Sequence, residues 1–361
     1  MADTTYVQYF LGANSPSGFY SLYDQLIAPE AARAIYILKG GPGCGKSTLM
    51  RRVAAQIQQT GEAVQYILCS GDPDSLDAVV FPGLGVALVD GTAPHVVEPK
   101  YPGVVESYVN LGDCYDKEAL GDLRREIMGC MKGYKGCYQR AYRCLGAAAE
   151  IEADVRATLL TEALEQRLAK RAKGILSREV KLRKGVQPGQ VQQRFLGAIT
   201  HKGPICLYDT AAAQCQRIYE LTDRYGLAHT MLSHLLSGAV NAGYDVVACP
   251  DPMAPDRLAH VLIPQLSLAF LSSSSGLPCP LDAFRRVRLD SMADQEILRR
   301  SRPRLRFSQK VSSALVEEAV DSLAQAKAMH DELEALYNPY VDFDRVNATA
   351  QAIADEILLE T

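Results

Sequence analysis

Apolar residues fall into short unbroken runs in some stretches of the chain and into a three-four spacing in others. Ala34–Leu38, Val64–Cys69 and Gly85–Asp90 are runs of strand length bounded by turn residues, and each predicts a buried β-strand. Between the first two, Leu49, Val53 and Ile57 recur at every fourth position of Ser47–Thr60, with Arg51 and Arg52 beside them and Gly61 at the end. That is the pattern of an amphipathic helix closed by a glycine. From Lys117 to Lys184 the pattern turns helical: Leu120, Leu123, Ile127, Cys130, Tyr134, Cys137, Ala141 and Cys144 form one stripe, and a second segment, Glu152–Lys184, follows a break expected near Gly146. Gly129, Gly133 and Gly136 predict a close helix crossing or a kink within the stripe. The tail repeats the theme with a helix over Val311–Leu336, a turn at Asn338-Pro339 and a returning helix over Phe343–Leu359.

The chain also matches itself. Phe10-Leu11-Gly12-Ala13, Gly18 and Leu22-Tyr23-Asp24 recur as Phe195-Leu196-Gly197-Ala198, Gly203 and Leu207-Tyr208-Asp209, at a constant offset of 185. Ile35-Tyr36 and Leu38 recur at an offset of 183, and Leu84–Val89 recurs as Leu266–Leu271 at 182. The protein therefore reads as two copies of one unit. This predicts a core over 1–116, a helical arm over 117–185, a second core over 194–290 and a second arm over 291–361, with a linker at Gly185-Val186-Gln187-Pro188-Gly189. The arms are the natural surface for a homodimer or a protein partner, or they bury against their own cores.

The candidate chemistry sits at Lys39–Met50, where Gly40 to Ser47 satisfies the spacing G-x-x-x-x-G-K-[S/T] between a predicted strand and a predicted helix. Glycines at 40, 43 and 45 let the backbone turn its N–H groups toward a polyphosphate, and the helix adds its N-terminal dipole. On these residues the chain resembles a P-loop NTPase, Gly40–Ser47 matching the Walker A pattern at each defined position. The Gly-Gly-Pro-Gly-x-Gly-Lys run is also similar to the loop of small nucleotide kinases, and the whole layout is similar to tandem bacterial P-loop ATPases with a degenerate second copy. The expected fold is α/β, with tandem parallel-sheet cores each followed by a long helical arm.

The expected substrate is ATP with Mg²⁺. Gly40, Gly41, Pro42, Gly43, Cys44 and Gly45 would cradle phosphate, Lys46 would stabilise developing charge, and Thr48 would touch the α-phosphate. Ser47 and Asp90, the latter closing a Walker B-like strand, would hold the metal. The reaction expected is Mg²⁺-dependent hydrolysis. A kinase passing on the γ-phosphate and a non-catalytic nucleotide sensor are the alternatives.

The internal copy sorts these residues. At the offset of 183, Asp223 stands against Gly40, Ala228 against Gly45, His229 against Lys46 and Thr230 against Ser47, and only Gly43 keeps its identity, as Gly226. Ser272 stands opposite Asp90, so lysine and aspartate are lost together, and the Asp223 carboxylate is expected to repel a phosphate. Asp72, Thr92, His95 and Glu98 lack equivalents and lie just past strand ends, which makes them the candidates for positioning the attacking water or a second substrate, Asp72 and His95 being carried as catalytic. Asp74 matches Asp256 in the degenerate copy, so the Asp72–Leu76 turn is read as capping a short helix with Asp74 as the cap.

Composition narrows the partners. The net charge of −4 over 361 residues gives no global attraction to nucleic acid or anionic membrane. Basic residues cluster locally, at Arg167–Lys184, which predicts a solvated face or a polyanion contact, and at Arg285–Arg306, read as a source of an arginine finger. No aromatic residues interleave with the first cluster, which argues against stacking on single strands. The longest apolar run, Val261–Leu271, is too interrupted to span a bilayer. Ten cysteines without a C-x-x-C pair, and no leader before Tyr6, point to a reduced cytoplasmic protein. Cys130, Cys137 and Cys144 repeat at sevens, but such residues lie about 10 Å apart on a helix and cannot share an ion.

Overall fold

The computed structural model describes residues 6–28 and 30–359, so the expectation of no leader before Tyr6 lies outside the described residues. The first half folds as β1 (Tyr6–Tyr9), β2 (Gly12–Ser15), β3 (Gly18–Ser21), β4 (Ala34–Lys39), α1 (Lys46–Gln58), β5 (Val64–Leu68), β6 (Leu76–Phe81), β7 (Val86–Asp90), β8 (Glu106–Asn110), α2 (Lys117–Asp122), α3 (Arg124–Leu159) and α4 (Glu162–Glu179). The second half gives β9 (Val191–Gln193), β10 (Gly197–Thr200), β11 (Gly203–Cys206), α5 (Tyr208–Gln214), β12 (Arg217–Thr222), α6 (Ala228–Asn241), β13 (Val246–Asp251), β14 (Ala254–Ile263), β15 (Leu268–Ser273), β16 (Arg285–Arg288), α7 (Gln295–Tyr337) and α8 (Phe343–Leu359).

The strands build two six-stranded sheets, ordered β1-β5-β6-β7-β4-β8 and β16-β12-β15-β14-β13-β9. Read from opposite ends, the two orders match strand for strand. Both sheets are mixed, not parallel as expected, because β6 and β14 run antiparallel to both of their neighbours. The cause is connection length. Cys69–Ser75 and Pro82–Gly85 are too short for a parallel crossover, which takes a dozen residues or more.

This also corrects the reading of Asp72–Leu76. Asp72 Oδ1 accepts the Asp74 N–H at 3.2 Å and the Asp72 carbonyl accepts the Ser75 N–H at 2.8 Å, a tight turn that feeds the fully buried strand β6. Asp74 caps no helix. An aspartate at the head of an apolar run suits a hairpin turn as well as a helix start, and the β-branched Val79-Val80 decides for the strand.

The chain divides into two compact units that do not follow its linear order. The first comprises 1–13, 21–141 and 321–361, the second 14–20 and 142–320. In the first unit α8 packs on α1, burying Val346, Ala350, Ile353, Ala354 and Ile357 along one stripe. In the second, α4 packs on α6 through Leu164, Leu168, Ala172 and Ile175. Each valine, leucine or isoleucine so buried contributes about 1.5–3 kcal/mol, and each alanine less. The four-segment division read from the sequence follows the chain, whereas each returning helix packs on the core formed by the other half.

The helical stretches differ from expectation in two places. α3 runs unbroken through Gly146, since one glycine costs only about 1 kcal/mol among alanines and leucine, and the break falls where Thr161 Oγ1 caps α4 by accepting the Leu164 N–H. Of the three stripe glycines, Gly133 marks a close crossing: a Cβ there would come within 2.6 Å of Met329 Cε, whereas Gly129 and Gly136 face open space. The basic residues of Arg167–Lys184 are exposed. All ten cysteines are free thiols. Among the described residues, no helix is long and apolar enough to cross a membrane.

The glycine-rich linker is tied down, not loose. Gly189 donates its N–H to Val240 O, and a Cβ at this position would lie 1.9 Å from Tyr244 O. Gly189→Ala is expected to destabilise the second unit by about 1–3 kcal/mol, read as a lower urea midpoint at unchanged slope.

Candidate active site

β4 lies between β7 and β8 and parallel to both, with Leu38 opposite Asp90, so the Gly40–Ser47 loop and Asp90 leave the sheet at the same carboxyl edge. Gly43 and Gly45 take φ of 71° and 83°, a region that favours glycine. Gly45 is also the N-cap of α1 and brings no side-chain oxygen to the first-turn N–H groups. Lys46 Nζ donates to Gly40 O at 2.8 Å and Gly41 O at 2.9 Å, and stands 3.5 Å from Asp90 Oδ2. Asp90 Oδ1 accepts from the Thr92 N–H at 2.9 Å and hydroxyl at 2.6 Å. Ser47 Oγ accepts the Leu76 N–H at 3.0 Å, and Thr48 is exposed on the first turn of α1.

The loop is also packed from a region that no local motif points to. Gly41 faces the Tyr115 and Tyr337 rings, Gly43 faces Asn338 and the Glu334 carbonyl, and Gly45 faces Phe343 and Val346. Cys44 is buried, with its Sγ 3.8 Å from Lys46 Nζ, and Pro42 O accepts from the Tyr115 hydroxyl. The end of α7 and the start of α8 thereby fix the loop.

His95 belongs to a buried cluster whose centre the sequence reading missed. Its Nε2 is 3.2 Å from Asp77 Oδ1, the Tyr23 hydroxyl donates to Asp77 Oδ2 at 2.7 Å, and the Cys69 thiol also bonds this carboxylate. Burial pushes the His95 pKa down, but the Asp77 carboxylate outweighs it and holds it above its ordinary value. Burial pushes Asp77 up, and His95, Tyr23 and Cys69 outweigh that in turn, leaving it low. Both shifts favour the charged form of the group, imidazolium at His95 and carboxylate at Asp77. The fields of Asp90 and Lys46 reach the same imidazole, raising and lowering its proton affinity respectively. A lone carboxylate inside Leu76–Phe81 was the available signal, and at the offset of 182 its counterpart is Ala259.

The other candidates have structural partners. Asp72 pairs with Lys327 of α7 at 3.4 Å, Glu98 with Lys39 at 2.9 Å, and Thr92 with Asp90. Lys46, Asp90 and Thr92 are brought together; Asp72 is drawn to α7.

The second copy repeats the turn and fills it. Gly226 takes a φ of 72°, matching Gly43. Asp223 Oδ1 accepts the Tyr225 and Leu227 N–H groups at 3.1 and 2.9 Å, and its Oδ2 accepts that of Ala228 at 2.6 Å. The sequence predicted that this carboxylate would repel an anion; in the structure it accepts the N–H groups of its own turn. His229 Nδ1 accepts the Leu258 N–H at 2.9 Å, just as Ser47 Oγ accepts that of Leu76.

Asp251, at the end of β13, is pushed up to about 6 by burial, with Glu152 and Asp223 adding to the rise and the Met253 N–H and Arg156 opposing it. A carboxyl raised on folding binds a proton that the unfolded chain releases near 3.9, so stability falls as pH rises through the 4–6 window. Asp251→Asn is accordingly expected to raise the thermal midpoint at pH 8 and to change it little at pH 4.

The model of the family described as Nephrocystin 3, N-terminal, matches residues 21–80, a stretch that holds the glycine loop, α1 and β5. That family is loosely related to P-loop NTPase-like proteins. No curated protein and no solved structure matches the chain.

Proposed function

We propose that the first unit binds the magnesium complex of a nucleoside triphosphate, ATP, at Gly40–Ser47 and hydrolyses it. One observation carries the reading: each copy places a turn with a positive-φ glycine, Gly43 or Gly226, ahead of a helix, and in the second copy the N–H groups of that turn bind a carboxylate that belongs to the chain itself. A turn that accepts Asp223 as its anion has, in the first copy, Gly40 in place of the aspartate and Lys46 in place of His229. Two of the three donors are retained, at Cys44 and Gly45, while Tyr225 is replaced by Pro42, which has no N–H; the internal anion is gone and a cation is added. The match to a family loosely related to P-loop proteins falls on this segment.

Ser47 and Asp90 would hold Mg²⁺, which when bound supplies charge neutralisation between the phosphates. Ser47 Oγ uses one lone pair on Leu76 and keeps another, and Asp90 is oriented by Thr92. Lys46, held by two loop carbonyls, presents its charge at the loop mouth. The His95 ring, fixed by Asp77, is the group suited to orienting the attacking water.

Incubation with γ-labelled ATP and Mg²⁺, with and without a metabolite extract, tests the reading. Free phosphate as the sole labelled product is the expected result. Label transferred to a metabolite would mean a kinase, and nucleotide stabilisation without turnover would mean a sensor.

A further inference from the structure

The second unit carries a cavity of about 370 Å³ lined by Arg224, Arg299, Arg302 and Arg306, with Tyr225, Leu298 and Leu305 among its walls. Arg299, Arg302 and Arg306 follow a three-four spacing on α7 and so project from one face. Arg304, on another face, is paired with both carboxylate oxygens of Asp154 at 2.9 and 2.7 Å. Among the described residues, no ion pair engages Arg299, Arg302 or Arg306. Arg224 is held in place by Gln309, whose Oε1 accepts from Nε at 3.2 Å and Nη2 at 2.5 Å.

No carboxylate lines this cavity. Three carboxylates near the lining residues in sequence are turned to backbone: Asp223 accepts N–H groups of its own loop, Asp290 accepts the Arg224 N–H at 3.2 Å, and Asp294 accepts those of Glu296 and Ile297 at 2.8 and 3.2 Å. Four guanidinium groups around one small space repel one another, and an anion between them relieves that repulsion. The volume is that of a small-molecule site, and the planar fork of arginine matches phosphate oxygens two at a time.

We infer that this cavity binds a small polyphosphorylated anion, independently of the first unit's glycine loop. The degenerate loop thus closes its inner anion position with Asp223 and contributes its next two residues, Arg224 and Tyr225, to a different one. The shared chemistry is a chain of phosphates with three or more negative charges, which inorganic polyphosphate and a nucleoside polyphosphate both offer.

Isothermal titration of the Lys46→Ala protein in EDTA, with inorganic tripolyphosphate and separately with ATP, tests this without the first loop. Saturable binding of tripolyphosphate is expected, weakened about tenfold by Arg302→Ala and by Arg306→Ala and unchanged by Arg304→Ala. ATP binding more tightly than tripolyphosphate would assign the nucleotide as the source; tripolyphosphate binding alone would assign the inorganic chain. Either supports the site. Absence of saturable binding by both ligands, equal weakening by Arg304→Ala, or binding only of a long oligonucleotide would overturn it. The substituted arginines are exposed, and circular dichroism of each variant matching wild type secures the comparison.

Discussion

Lys46→Ala is expected to weaken Mg-ATP binding roughly ten- to hundredfold and to shift the nucleotide-dependent rise in thermal midpoint to correspondingly higher Mg-ATP, because it removes a charge-assisted hydrogen bond worth about 1.5–3 kcal/mol. The fold itself should tolerate the change. The loop is packed by Tyr115, Tyr337, Asn338 and Phe343, and Lys46 adds hydrogen bonds to the Gly40 and Gly41 carbonyls and longer contacts to Cys44 Sγ and Asp90. The midpoint without nucleotide should therefore move by no more than about a degree or two for a loss near 0.5 kcal/mol. An ATP titration giving the same dissociation constant for both proteins would refute the site, whatever the hydrolysis assay showed.

Asp77→Ala is expected to cost about 3–5 kcal/mol, the price of leaving an imidazolium without its buried counter-ion, and to lower the thermal midpoint of the first unit accordingly. Three donors lose their acceptor at once: His95 Nε2, the Tyr23 hydroxyl and the Cys69 thiol. Asp77→Asn keeps the shape and part of the bonding while removing the charge, and it separates packing from electrostatics. His95 is raised on folding, so its contribution is full below the unfolded value of about 6.5 and disappears as pH climbs through the folded value. Asp77 is lowered, so its contribution is present above about 3.9 and disappears as pH falls through its folded value. The gap in stability between wild type and Asp77→Asn should accordingly be widest between about pH 4 and 6.5 and should narrow toward pH 9. A gap independent of pH would mean that the two groups do not titrate as a pair.

The same cluster explains why the Ser272 position could not stand for the whole site. Losing Asp90 from the second copy was visible in one aligned run, whereas the loss of Asp77 becomes visible only once β6 is recognised as a strand. The turn chemistry of Asp72–Ser75 concealed it, since it serves a hairpin and a helix start equally well.

What the sequence determined by itself is local. The glycine turn, α1 with Leu49, Val53 and Ile57 inward, the strand closing on Asp90, the bounds of α8 and the two-copy design all follow from periodicity, turn residues and self-comparison within short windows. What only the tertiary structure decided depends on contacts between distant residues: the antiparallel β6, the return of α8 onto α1, the pairing of His95 with Asp77, and the entry of Asp223 into the turn it was expected merely to spoil. Residues brought together by packing leave no period in the sequence, and a carboxylate reads as repulsive until the N–H groups around it are placed.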